Sequence, residues 1–341
     1  MENLNDEEYE LFKRFNNLEG NLKILEIKAL EKDINRYLKF AKKYSRLLVD
    51  ILAILKVFEL ENEFSNFEYY DKITKTYGIA DPVVKRLTYI EKEDLDPVDL
   101  VILQRILMFV RDFEEAQKLC RKALVALERY MSESPNYKKF KFFYHYNMIH
   151  RALRADFFEL DKIKGEDPQK VVKTVFKHHL NEAMKICDDK NSGVLEVYEY
   201  ILNVRSAIMD KDSESAIENL NALKEFKEHK KLYDMARIDL AEYSFHPDFE
   251  LTEAHHNIAV GVRMRKLRER LGVTLSDVAD KIGYSSEGNL SMIERGELGM
   301  TNFRLVKVAK IFGVTLEELC CGLTTRPREP LTKEEFKYSN S

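Results

Sequence analysis

Residues 264–296 read Met264-Arg-Lys-Leu-Arg-Glu-Arg-Leu-Gly-Val-Thr-Leu-Ser-Asp-Val-Ala-Asp-Lys-Ile-Gly-Tyr-Ser-Ser-Glu-Gly-Asn-Leu-Ser-Met-Ile-Glu-Arg-Gly296. Three short helices can be drawn on this stretch alone. Met264, Leu267 and Leu271 recur at three- and four-residue steps and make one apolar stripe, beside Arg263, Arg265, Lys266, Arg268 and Arg270. Gly272 stops this helix, because glycine takes the left-handed C-terminal cap without a Cβ penalty. Thr274 opens the second helix, with Asp277 placed to reach back to the cap in a variant capping box. Val278, Ala279 and Ile282 face inward and Gly283 makes the turn. Ser286-Glu-Gly-Asn-Leu-Ser-Met-Ile-Glu-Arg295 is a third helix, ended by Gly296.

Downstream, Phe303, Leu305, Val306, Val308, Ala309 and Ile311 give an amphipathic fourth helix up to Gly313, and Thr315 with Glu318 forms a full capping box for a fifth. Five short helices in this order resemble the lambda repressor/Cro-like (XRE-type) helix-turn-helix family over about 60 residues, 260–320. The matching motifs are Met264-Arg-Lys-Leu-Arg268, Thr274 with Val278-Ala279, Ile282-Gly283, Ser291-Met-Ile-Glu-Arg-Gly296, and Val308-Ala309 with Gly313-Val314. The resemblance implies an ion pair between Arg268 and Glu294, and a close helix crossing at Ala279. It makes the third helix the recognition helix, its N-terminal half in the major groove. In that register Glu287, Asn289 and Met292 meet base edges. Asn bridges adenine N6 and N7, Glu accepts from cytosine N4, and Met touches a thymine methyl. Arg263, Arg295 and Arg304 are the candidate phosphate contacts, which position a domain without reading sequence. The chain departs from the family pattern in three places. One extra residue lies between Gly283 and Gly296, Gly288 falls inside the recognition helix, and Leu275 stands where a phosphate-binding Gln is common.

Eight of the twelve glycines lie between Gly261 and Gly322, which separates this domain (259–322) from a long glycine-poor, helical region before it. Residues 246–258, with His246-Pro247, read as a linker, and 323–341 as a flexible tail. Within residues 1–96, the stretch from Leu22 to Phe58 places Ile27, Leu30, Ile34, Leu48, Ile51 and Leu55 at helical steps on one face. That face either packs on the rest of the body or serves as a dimerisation seam. Residues 97–245 read as helix pairs. Asp112-Phe-Glu-Glu-Ala116 followed by Ala123-Leu124 resembles the second helix of a tetratricopeptide repeat, with echoes at Asp212 and Asp156. The fold class expected is therefore all-α: a degenerate tetratricopeptide-like body and a five-helix Cro-like domain. Asn147 and Asn203, each nine residues before such an Asp, are candidates for a peptide groove.

The net charge of −4 is unevenly spread. Residues 259–322 hold ten Lys/Arg against eight Asp/Glu, whereas residues 1–258 hold 41 against 48. A weakly basic domain thus follows an acidic body that phosphates would repel. No stretch of 18 residues is free of charge, and the N-terminus is acidic where a signal peptide would be basic. Four cysteines make no disulfide framework, so the expected compartment is the cytoplasm. Cys120 and Cys187 read as buried small hydrophobes. His178-His179 and His255-His256 are adjacent rather than four apart, and are expected at solvent-facing or interface positions without metal. No phosphate-binding loop, zinc-spaced Cys set or nucleophile elbow occurs. Neither an enzyme nor a cofactor is expected. The function expected is a sequence-specific DNA-binding regulator working as a homodimer on double-stranded DNA, its body sensing a peptide or protein. The other reading is an interaction scaffold that docks through the Cro-like domain.

Overall fold

A computed structural model describes residues 5–18, 24–41, 45–62, 69–90, 95–189, 194, 196–243, 252–321 and 336. Among the described residues the fold is all-α, with sixteen α-helices and no strand. The chain divides into two compact units, one ending at Glu196 and the other running from Val197 onward.

The first unit holds α1 (Asp6–Asn16), α2 (Ile24–Phe40), α3 (Arg46–Asn62), α4 (Tyr69–Tyr89), α5 (Pro97–Ile106), α6 (Phe113–Met131), α7 (Tyr137–Phe158) and α8 (Pro168–Cys187). The apolar stripe of residues 22–58 belongs to two helices, α2 and α3, packed on each other. Ile27, Leu30, Ile34, Leu48, Ile51 and Leu55 are all buried in that core and are not open to a partner as a dimer seam. Asp112 does start a helix, its carboxylate accepting the Glu115 N–H at 2.8 Å, with Ala116 and Ala123 buried behind it. Asp156 does not: it lies buried near the end of α7. Cys120 is buried, which pushes its thiol up to about 12, and Cys187 is half-buried. His179 is buried too, its Nδ1 paired with Nδ1 of His145 at 2.7 Å, and burial holds it down at about 3 and therefore neutral.

The second unit contains α9 (Val197–Asp210), α10 (Ser213–Lys224), α11 (Lys230–Tyr243), α12 (Glu253–Leu271), α13 (Leu275–Ile282), α14 (Glu287–Glu294), α15 (Asn302–Phe312) and α16 (Leu316–Cys321). The first helix of the segment 259–322 begins before residue 259. Residues 253–258, placed in the linker, are the first turns of α12, while 244–251 lie outside the described residues. The physical reason is the composition of the helix start. Ile258, Ala259, Val260 and Val262 are apolar around the whole helix, and such a helix must be covered on all sides. It is covered by α11 and α14. His255 is fully buried in the same region rather than solvent-facing. A buried pair, Arg205 Nε to Asp239 Oδ2 at 2.8 Å, ties α9 to α11. The core of the five C-terminal helices includes Met264, Leu267, Val278, Ile282, Leu290, Ile293, Leu305, Val308 and Phe312. Phe336, from the segment read as a flexible tail, is buried in that core and stacks on Phe312.

Among the described residues no helix is long and apolar enough to cross a membrane.

Candidate nucleic-acid interface

The turn between α13 and α14 is built by local chemistry. Thr274 Oγ1 accepts the Asp277 N–H at 3.1 Å, and Asp277 Oδ2 accepts the Thr274 N–H at 2.7 Å, which fixes where α13 begins. Gly283 ends it at φ +82°, its N–H and that of Tyr284 returning to the carbonyl of Ala279. The N-cap of α14 is Ser286, so Gly288 sits in the first turn rather than the interior, where its helix penalty would be largest.

Eight residues of α14 then divide cleanly. Leu290, Ile293 and Glu294 are buried, while Gly288, Asn289 and Met292 are exposed away from them and Glu287 is exposed in the first turn. The far end of the helix is held from three directions. Arg268 Nε and Nη2 donate to the two Glu294 carboxylate oxygens at 2.6 and 2.8 Å, a fork-on-fork pair between α12 and α14. Arg237 of α11 donates from Nη1 to the Glu294 carbonyl at 3.0 Å. Backbone contact supplies the third hold. A Cβ on Gly261 would lie 2.1 Å from the Ile293 carbonyl oxygen, and one on Gly296 would lie 2.6 Å from Ile258 Cα.

The cationic side chains fare differently. Arg263, expected at phosphate, is 4% exposed, and its guanidinium donates to the carbonyls of Leu319, Cys320 and Ala241. It faces inward because helix-end carbonyls of α16 and α11 accept from its buried guanidinium. Arg263 is thus a structural strut and not a phosphate contact. Arg304 is half-buried, stacked 4.1 Å over the Tyr284 ring beside the start of α14. Lys307 lies one helical turn on, 3.9 Å from where a Cβ of Gly283 would be. Arg295 is partly exposed and grips Glu297 through Nε and Nη2 at 3.0 and 2.8 Å, with Nη1 donating to Ser291 Oγ.

Two features at this surface were missed from sequence. The side chains of Asp96, Asp112, Asp167, Asp212, Thr252 and Thr274 all accept a first-turn N–H. Ser286 and Thr301, which begin α14 and α15, make no such bond. Ser and Thr at a cap position predict a closed end, so sequence gave the opposite signal. Neither Asn of the proposed peptide groove belongs to this surface. Asn147 is buried on α7 and its Nδ2 donates to the Gln104 carbonyl at 2.6 Å, so its amide is already used within the fold. Asn203 is half-buried on α9.

Among the described residues no group of three or more His, Cys, Asp or Glu is placed to hold a metal ion. Residues 264–319 match the family model described as helix-turn-helix. No curated protein and no solved structure matches the chain.

Proposed function

With its C-terminal segment a helix-turn-helix, we propose that this protein is a sequence-specific DNA-binding transcriptional regulator that acts as a homodimer on double-stranded DNA. The observation that carries the reading is the split of α14, whose Gly288, Asn289 and Met292 are exposed while Leu290 and Ile293 sit in the core and its far end is held through Glu294. A recognition helix needs that rigidity, because base-edge hydrogen bonds tolerate little displacement.

Asn289 and Glu287 are the hydrogen-bonding readers and Met292 the apolar one. Arg304 contacts phosphate beside the start of α14, and Arg295 does so at its end. The uncapped first turns of α14 and α15 add backbone N–H donors of the kind that favour phosphate oxygens. One recognition helix reads too few base pairs to be selective, so two copies sit on half-sites about 34 Å apart. In the remaining helices, read as a degenerate tetratricopeptide-like array, a peptide or protein partner is sensed. Signals from α9–α11 have a direct route to α14 through Arg237.

Two variants test the reading by their different signatures. Asn289→Ala should relax base preference at one position while leaving the salt dependence unchanged. Arg304→Ala should weaken binding on every sequence and reduce the slope of log K against log salt by about 0.9. Competition binding across a set of single-base operator variants at several salt concentrations measures both. If neither substitution changes duplex retention, the proposed reading surface is wrong.

A further inference from the structure

At the end of α14, Arg295 does not stand free for phosphate. Both its Nε and its Nη2 are bonded to Glu297. The other oxygen of the same carboxylate is paired with Lys224 Nζ, the last residue of α10. Two cations therefore share the one carboxylate of Glu297, just beyond the recognition helix: an arginine at the end of that helix and a lysine from the helices upstream of the helix-turn-helix. All three are partly exposed, so the contacts can be remade without disturbing the core.

Resting on the DNA-binding reading above, we propose that Glu297 and Lys224 are positioning residues that set the strength of duplex binding, Glu297 by withholding Arg295 from phosphate and Lys224 by competing with Arg295 for that carboxylate. A guanidinium clamped in a fork has its donor pair occupied and its charge offset, so a phosphate must displace the carboxylate to reach it. When Lys224 lies against Glu297, the carboxylate's charge is divided and Arg295 is more easily released. When α10 draws away, Glu297 closes on Arg295 alone. The helices before the helix-turn-helix thereby gain control over one phosphate contact without moving the recognition helix. The Arg295 hydrogen bonds hold the Glu297 carboxyl down at about 2, with Lys224 adding to the effect, so the clamp stays charged in any ordinary binding buffer.

The test is a pair of double-mutant cycles on the full-length protein, with duplex affinity measured across a salt series. Glu297→Gln should raise affinity roughly two- to fivefold, the range of a released exposed ion pair. It should also steepen the salt slope by about 0.9, one added phosphate contact. Both gains should vanish when Arg295→Ala is also present. Equal gains in both backgrounds would show Glu297 acting as a plain negative charge near DNA, and no gain would show that Arg295 is not held; either overturns the proposal. Lys224→Ala should weaken binding when Glu297 is present and have no effect beside Glu297→Gln. Weakening in both backgrounds would make Lys224 a phosphate contact itself and remove the competition. A measurement without DNA separates this proposal from the reading beneath it. In the free protein the Arg295 Nε–H should give a slowly exchanging NMR signal that Glu297→Gln abolishes. A clamp seen by NMR in a protein that retains no duplex would sink the DNA-binding reading and with it this role, whereas duplex retention with no such signal sinks the clamp alone.

Discussion

Arg268→Ala is expected to lower the stability of the C-terminal unit by about 3–5 kcal/mol, the cost of stranding one member of a buried ion pair. Glu294 is 4% exposed and both its carboxylate oxygens are bonded to Arg268. Without that guanidinium, the carboxylate must either stay charged in a desolvated site or pull the end of α14 toward water. The second course breaks the Arg237 bond to the Glu294 carbonyl as well. Denaturant unfolding followed by circular dichroism measures the loss. The informative comparison is a double variant, Arg268→Met with Glu294→Leu, which removes both charges and keeps the volume. It should recover most of the loss, since replacing a whole buried pair by packed apolar groups is often neutral. A cost below about 1 kcal/mol for Arg268→Ala would mean the pair behaves like an exposed one.

Gly261→Ala is the second substitution with a large expected effect, although it changes one methyl group far from any base-reading residue. The new Cβ would meet the Ile293 carbonyl oxygen at 2.1 Å and the Glu294 backbone at 3.1 Å. The obstacle is main chain, so no side-chain rotation relieves it. Helices α12 and α14 must move apart, with an overpacking cost of about 1–3 kcal/mol. Because α14 itself is displaced, duplex affinity should fall further than the loss of folded protein explains. Gly288→Ala is the matched control. Its Cβ meets only Ser286 Oγ at 3.7 Å, an ordinary contact, and stability should hold or rise slightly. Melting curves of the two alanine variants, with the duplex affinity of Gly261→Ala, check this contrast. Equal behaviour would contradict the close packing of α12 on α14.

What could be read in the sequence was what local chemistry decides. Thr274 with Asp277, the stop at Gly283 and the stripe Met264–Leu267–Leu271 are set within a few residues of one another, and each appears in the fold. The alternation of exposed and buried positions along α14 follows from the same short-range periodicity. What escaped depended on distant partners. Arg263 looks like its basic neighbours on α12, and its burial is decided by carbonyls 22, 56 and 57 residues away. The start of α12 escaped because His246-Pro247 is a strong loop signal, whereas the apolar turns at Ile258–Val262 gain meaning only when α11 is there to cover them. Phe336 gave no periodic signal at all, being one aromatic in a charged segment. The stripe on α2 and α3 was legible as an apolar face, but core and dimer seam have the same periodicity, and only packing distinguishes them.

The central claim, that α14 reads duplex DNA, is tested most directly by letting the full-length protein select from random duplexes at moderate salt and sequencing what it retains. The account predicts an enriched motif made of two related half-sites, their centres about one helical turn, 34 Å, apart. Within each half-site, the position contacted by Asn289 should favour adenine. Flat enrichment with weak retention would contradict the claim and leave the helix-turn-helix as a docking domain for another protein.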